Sequence, residues 1–202
     1  MSEPESTLTT ARLVLRPFTP ADAPAVQRLA AAAEVAATTA TIPHPYPEGA
    51  AAAWIAGHEA ARAEGRSLDW AITTAADGVV GAIALRPSLA HLNAELGYWI
   101  GVPYWRRGYA SEAAAALVRH GLRGLLLKRI HAHHMSANPV SGRVLLAAGL
   151  RWEGRLRSHF RRDGRFHDVE LWGIVDRDLD ATTAGGSAVA PPPPPPSLLA
   201  NG

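Results

Sequence analysis

The sequence predicts a mixed α/β (α+β) domain with flanking helices and one parallel crossover. Two observations carry this. The pairs Asp77-Gly78 and Asp163-Gly164 each separate two runs of strand character, the pattern of an antiparallel hairpin. Between them, strand periodicity at 94–100 gives way to a helical run at 111–127 and returns at 129–135, the pattern of a strand–helix–strand crossover.

The elements follow in order. Arg12 to Phe18 alternates polar and apolar and predicts a strand. Pro20, Ala21 and Asp22 open an alanine-rich helix to about Ala33. Thr38 to Gly49 holds three prolines and is expected to be a loop. A second helix is expected from about Ala50 to Glu64, then strands at 68–73 and 79–85 around the first turn pair. After Pro103 the period changes to that of a helix at Ser111 to Leu127. A strand at 129–135, a helix from Pro139 to Ala148 stopped by Gly149, and strands at 151–161 and 166–175 complete the pattern.

The chain has 202 residues, 48% of them hydrophobic, which suits one domain with tails. Residues 1–8 read as a loose leader and 9–180 as the folded unit. Residues 181–202 carry no charge and include Pro191 to Pro196, so a disordered tail is expected there. Cysteine is absent, which excludes disulfides, a cysteine nucleophile and thiolate metal sites. No apolar run is long enough to span a membrane and no apolar signal core opens the chain, so the expected location is the cytoplasm. The net charge of +2 divides unevenly: −4 over residues 1–100, +10 over 101–165 and −4 over 166–202. A basic middle between acidic flanks suits an anionic ligand, although arginines solvating helix faces give the same count.

The chemistry concentrates where the predicted strand Gly97-Tyr98-Trp99-Ile100 runs through Trp105-Arg106-Arg107-Gly108-Tyr109-Ala110-Ser111-Glu112 into a helix. Unpaired amides and the helix dipole favour an anion at such a start, and Gly108 lets backbone approach a ligand closely. Arg106 and Arg107 add positive charge, so the segment reads as a phosphate cradle. It is neither a Walker loop nor a dinucleotide fingerprint, because the required glycines are missing. Further on, Asn138 before Pro139 fits a helix N-cap, with Ser141 in the first turn.

Taken together, Tyr-Trp-x-x-Gly-Tyr-Ala-Ser-Glu-Ala at 104–113 and Asn-Pro-x-Ser-x-x-Val-Leu-x-x-x-Gly at 138–149 resemble the GNAT superfamily of acyl-CoA-dependent N-acetyltransferases. The likeness is greatest to the Rim-type branch, which includes acetyltransferases of ribosomal-protein N-termini. Thr10 to Phe18, Ala94 to Ile100 and Asp168 to Trp172 are similar too. The resemblance implies a mixed, mostly antiparallel central sheet, with acetyl-CoA as co-substrate and no metal. It implies that Arg106, Arg107, Gly108, Tyr109, Ala110 and Ser111 hold the pyrophosphate, largely through main-chain amides. The strands at 94–100 and 129–135 would splay around pantetheine, beside Trp99 and Ile100. Asn138 would flank the pantetheine arm and Ser141 the thioester. His44, Tyr46 and Trp54 would form part of the acceptor pocket.

The resemblance also implies a tyrosine on the Pro139 to Ala148 helix that protonates the leaving thiolate; no tyrosine follows Tyr109, so Ser141 or a water is expected to do so, or the thiolate leaves unaided. An attacking amine must first be neutral, and Glu95, beside the cradle, is the candidate base. A strand amide near Leu96 to Tyr98 can stabilise the oxyanion. With no cysteine, direct transfer in a ternary complex is preferred. His131-x-His133-His134 is read as structural or solvent-facing rather than as a metal site: His131 and His133 share one face and His134 takes the other.

The leading expectation is thus an N-acetyltransferase acting on a protein N-terminus or a small amine, as a monomer or homodimer. A non-catalytic acyl-CoA-binding module and an RNA- or ribosome-binding protein are the alternatives.

Overall fold

The computed structural model describes residues 7–162 and 164–183. Eight strands form one sheet in the order β1-β2-β3-β4-β5-β6-β8-β7. They are β1 (Leu8–Thr9), β2 (Val14–Arg16), β3 (Leu68–Thr74), β4 (Gly78–Ser88), β5 (Asn93–Ile100), β6 (Arg129–Met135), β7 (Arg151–Arg162) and β8 (Arg165–Val175). Every neighbouring pair is antiparallel except β5 and β6, which are parallel and joined through a helix, as the sequence predicts.

The helices are α1 (Ala23–Ala30), α2 (Ala33–Thr38), α3 (Ala50–Ala56), α4 (His58–Ala63), α5 (Tyr109–Arg119), α6 (Pro139–Ala147) and α7 (Asp176–Thr183). The two faces of the sheet carry different helices. On one, Leu117 and Val118 of α5 and Leu145 of α6 pack on Leu13, Leu15, Trp70, Ile83, Leu85 and Ile130, all buried. On the other, Val26 of α1 and Ala51 and Ile55 of α3 pack on Ala71 and Val79.

Several boundaries differ from expectation. The first helix breaks between Ala30 and Ala33, inside a run of alanines that carries no stop signal; buried Val35 and Ala36 anchor the second piece. The helix expected over 50–64 divides at Gly57, a weak helix former. The helix expected to Leu127 ends at Arg119 and widens into a π turn over His120–Gly124. That turn seats Gly121 directly against the side chains of Ile130 and Leu85. Asp176 and Asp178 open α7, which the sequence reading did not anticipate; acids in a first turn are the signal that marks it. Of the segments expected to be disordered, residues 1–6 and 184–202 lie outside the described residues, Leu8 belongs to β1, and residues 181–183 close α7.

One glycine tests the packing of β4 on β5. A Cβ at Gly81 would fall on the Trp99 carbonyl oxygen, a backbone atom that cannot turn aside. Gly81→Ala is expected to cost about 1–3 kcal/mol, the range for overpacking. In a domain of this size that lowers the melting temperature by roughly 2–4 °C per kcal/mol. An unchanged melting curve would refute the packing described.

Candidate active site

The site begins where the parallel joint ends. β5 and β6 pair at Asn93↔Arg129, Ala94↔Ile130 and Glu95↔His131. Both strands then continue, β5 along β4 to Ile100 and β6 along β8 to Met135, without pairing each other. A wedge therefore opens beyond Glu95, and the edge of residues 96–100 that faces β6 has no strand partner. A cavity of about 620 Å³ occupies it, with Tyr46, Trp54, Glu95, Tyr98, His133 and Ser141 among its walls.

At the outer end of β5 the chain makes a short 3-10 turn over Val102–Tyr104 and enters α5 through Gly108. Gly108 has φ of 78°, the left-handed region that an L side chain rarely adopts. Arg106 sits there too, with φ of 61°. The first helical bond of α5 runs from Glu112 N to Gly108 O, at 3.1 Å. By helix geometry the amides of Tyr109, Ala110 and Ser111 thus have no acceptor within the helix. Trp105 donates its indole N–H to Ile100 O at 2.6 Å and so fixes the loop against the strand.

The same helix start is fastened to the N-terminal segment. Glu112 Oε1 accepts from Thr10 Oγ1 at 2.6 Å and Arg12 N at 2.9 Å, while Oε2 accepts from Arg12 Nε at 2.7 Å. Arg12 also donates from Nη1 to Arg107 O at 2.9 Å, and its guanidinium lies over the Tyr109 ring. These contacts tie the loop to the N-terminal segment.

Across the wedge, Asn138 caps α6 by accepting from Ser141 N at 3.4 Å. Ser141 Oγ lies 2.7 Å from Tyr98 Oη of β5. This hydroxyl pair bridges the opening from strand to helix. Burial pushes the Tyr98 phenol up to about 12, so it keeps its proton throughout the neutral range.

The opposite face of the sheet presents a carboxylate. Glu95 Oε1 is 3.1 Å from His133 Nδ1. The hydrogen bond to His133 holds the Glu95 carboxyl below its usual range, and the same bond raises His133. Arg86, which pairs in register with Glu95, extends over Gly97, where a Cβ would meet its Nη1 at 2.9 Å.

Comparison with known proteins places this architecture. Residues 12–151 match the acetyltransferase (GNAT) domain family. The chain belongs to the GNAT family. It is 36% identical over 116 residues to the uncharacterized N-acetyltransferase YoaA of Bacillus subtilis (strain 168), covering 55% of this chain and 64% of that one. It is 32% identical over 83 residues to the [ribosomal protein uS5]-alanine N-acetyltransferase of Escherichia coli (strain K12), covering 41% of this chain and 43% of that one. The chain thus spans less than two thirds of the length of either relative. Among solved structures, the GNAT-family acetyltransferase from Bacillus anthracis superposes with a TM-score of 0.76 at 23% identity, covering 85% and 99% of the two chains. Microcin C7 self-immunity acetyltransferase MccE, in complex with acetyl-CoA and AMP, gives 0.76 at 17% identity, covering 82% and 93%.

Within this GNAT domain the expected residues fall in different places. Glu95, Trp99, Tyr46, Trp54 and Ser141 all line the cavity. His44 is exposed and is not among the lining residues, while Pro43 and Tyr46 of the same loop are. Trp99 packs its ring with the second core cluster, and Ile100 is buried with its carbonyl already taken by Trp105. Two residues were missed. Tyr98, in an apolar strand, reads as core packing. His133 was read as structural or solvent-facing, yet it lines the cavity and bonds Glu95. The His131/His133 and His134 faces do alternate as expected. His134 is buried, its Nδ1 is 2.9 Å from Met135 O, and its Nε2 accepts from Trp172 Nε1 at 3.1 Å.

Proposed function

We propose that this chain is an acetyl-CoA-dependent N-acetyltransferase that acts on a primary amine by direct transfer within a ternary complex. One observation carries the reading: an amide-rich loop at the helix start, a carboxylate on one face and a hydroxyl pair on the other meet at a single gap in the sheet. The residues present suit acetyl-CoA. A Cβ at Gly108 would crowd the left-handed corner beside the free amides, within 3.2 Å of Arg12 Nη2. Arg106, Arg107, Gly108, Tyr109, Ala110 and Ser111 would hold the pyrophosphate. Asn138 and the unpaired edge of 96–100 would flank the pantetheine arm.

Bound acetyl-CoA supplies an acyl thioester as electrophile. The chain's own residues do the rest. Proton removal from the ammonium belongs to the Glu95 side of the cavity, where the carboxylate is anionic at neutral pH. An amide of Leu96 to Tyr98 on the unpaired edge donates to the acyl oxygen as negative charge develops there. Ser141 Oγ delivers a proton to the leaving sulfur and Tyr98 Oη stands behind it as the reserve.

The relatives define the acceptors worth testing. They include the uS5-alanine enzyme and a ribosomal-protein-serine acetyltransferase of Escherichia coli (strain K12), which favour a protein N-terminus with a small first residue. The deciding experiment follows CoA thiol release with Ala- and Ser-initiated peptides and with spermidine. Acetyl-CoA alone is expected to raise the melting temperature, since ligand at 100 times its Kd adds about 2.7 kcal/mol. No thermal shift at millimolar acetyl-CoA and no thiol release from any amine would refute the proposal. RNA binding that falls steeply with salt and ignores acetyl-CoA would favour a nucleic-acid partner instead.

A further inference from the structure

We propose that His133 takes the amine proton and that Glu95 is a positioning residue acting through it, because the two side chains meet at 3.1 Å on the cavity wall with the imidazole open to the cavity. The inference rests on the acetyltransferase reading and names the atom that reading leaves open.

The geometry distinguishes the ring nitrogens. Nδ1 faces Glu95 Oε1, so the neutral ring carries its hydrogen there. Nε2 is then the acceptor, and it has no hydrogen-bond partner among the described residues. Glu95 is poorly suited to take the proton itself. Its oxygen already accepts from His133, and Arg86 adds positive charge nearby. The other two histidines of the strand do not serve. His131 is absent from the cavity wall, and His134 has both nitrogens engaged on the opposite face.

The step balances as follows. The acceptor arrives as an ammonium. One N–H proton passes to His133 Nε2, and the freed lone pair forms the N–C bond. The C–S bond breaks with its electrons on sulfur, which takes a proton from Ser141, backed by Tyr98. A second nitrogen proton is lost as the amide forms and makes good the one given to sulfur. His133 returns its proton to solvent, so the net release is one proton.

The pH dependence follows from what faces the ring. Glu95 lies across the joint on β5, Arg86 beyond it on β4, His131 along β6 and His134 next in sequence; Leu171, its register partner on β8, is uncharged. The hydrogen bond to Glu95 raises His133, while burial and Arg86 oppose it. Only neutral His133 accepts a proton, so turnover should fall as pH drops through a value above the ordinary histidine range of about 6.5.

Three proteins test this, with acetyl-CoA and an Ala-initiated peptide, a Ser-initiated peptide and spermidine as probes. In His133→Gln the rate should fall about 10²–10⁴-fold, with acetyl-CoA affinity kept and the histidine limb replaced by a rise that follows the acceptor amine's own titration. In Glu95→Gln the plateau should fall as well, but the acidic limb should survive and move to lower pH, since burial and Arg86 then prevail. The C2–H proton resonance of His133 should show the same downward move without any turnover. Full turnover by His133→Gln, or an acidic limb that vanishes only in Glu95→Gln, overturns the inference and leaves the acetyltransferase standing. A wild-type protein that neither binds acetyl-CoA nor releases thiol overturns both.

Discussion

Gly108→Asp is expected to weaken acetyl-CoA binding by on the order of 100-fold, which corresponds to about 2.7 kcal/mol. Three effects add. Position 108 has φ of 78°, so any L side chain there is strained. The new Cβ would stand 3.2 Å from Arg12 Nη2, and the carboxylate beyond it would pair with that guanidinium. The anion would then occupy the corner onto which the free amides of Tyr109, Ala110 and Ser111 open, and would repel a phosphate. Calorimetric titration measures the loss, and the thermal shift should vanish with it. Gly108→Ala carries the strain without the charge and should lose much less. Wild-type affinity in the aspartate variant would mean that the diphosphate lies elsewhere.

Tyr98→Phe and Ser141→Ala are each expected to lower kcat by roughly 10²–10³-fold, within the range of a single acid catalyst, with little change in the KM for acetyl-CoA. The two hydroxyls are 2.7 Å apart, and removing either breaks the same path, so the double variant should be little worse than the worse single one. The pH sign is definite. Tyr98 is pushed up to about 12, so its phenol remains protonated across the working range. The deficit should therefore stay constant from pH 6 to 9, unlike that of His133→Gln, which should shrink as the amine becomes neutral unaided. A deficit in Tyr98→Phe that shrinks with rising pH would place Tyr98 with the base instead. Thermal melting must accompany the assay, because a buried hydroxyl left without its partner costs about 1–3 kcal/mol of stability.

Local signals carried much of this molecule. Asp77-Gly78 and the 94–135 run were enough to set the hairpin and the crossover, because a turn pair and a change of period are read within one window. The turn into α5 was legible for the same reason: Arg106, Arg107 and Gly108 stand together before a helix. What escaped depends on distant residues. Glu95 and His133 are 38 positions apart and meet only because Glu95 pairs in register with His131. Tyr98 sits among Gly97, Trp99 and Ile100, and nothing local separates a hydroxyl aimed at Ser141 from one more core aromatic. The break after Ala30 leaves no mark in a run of alanines.

The three register pairs between β5 and β6 have a consequence for how the protein assembles. Strands β1–β5 come from residues 8–100 and β6–β8 from residues 129–175, so each half-sheet is made from one continuous stretch of chain. Within them, β3–β4, β4–β5 and β7–β8 join strands adjacent in sequence, which close short loops at small entropic cost. The joint at residues 93–95 and 129–131 closes a longer loop, as do the β2–β3 and β6–β8 pairings. These closures should therefore follow the hairpins on the folding route. The gap beyond the β5–β6 joint is a seam between two halves of the sheet, and a ligand bridging the seam should slow unfolding far more than it speeds folding.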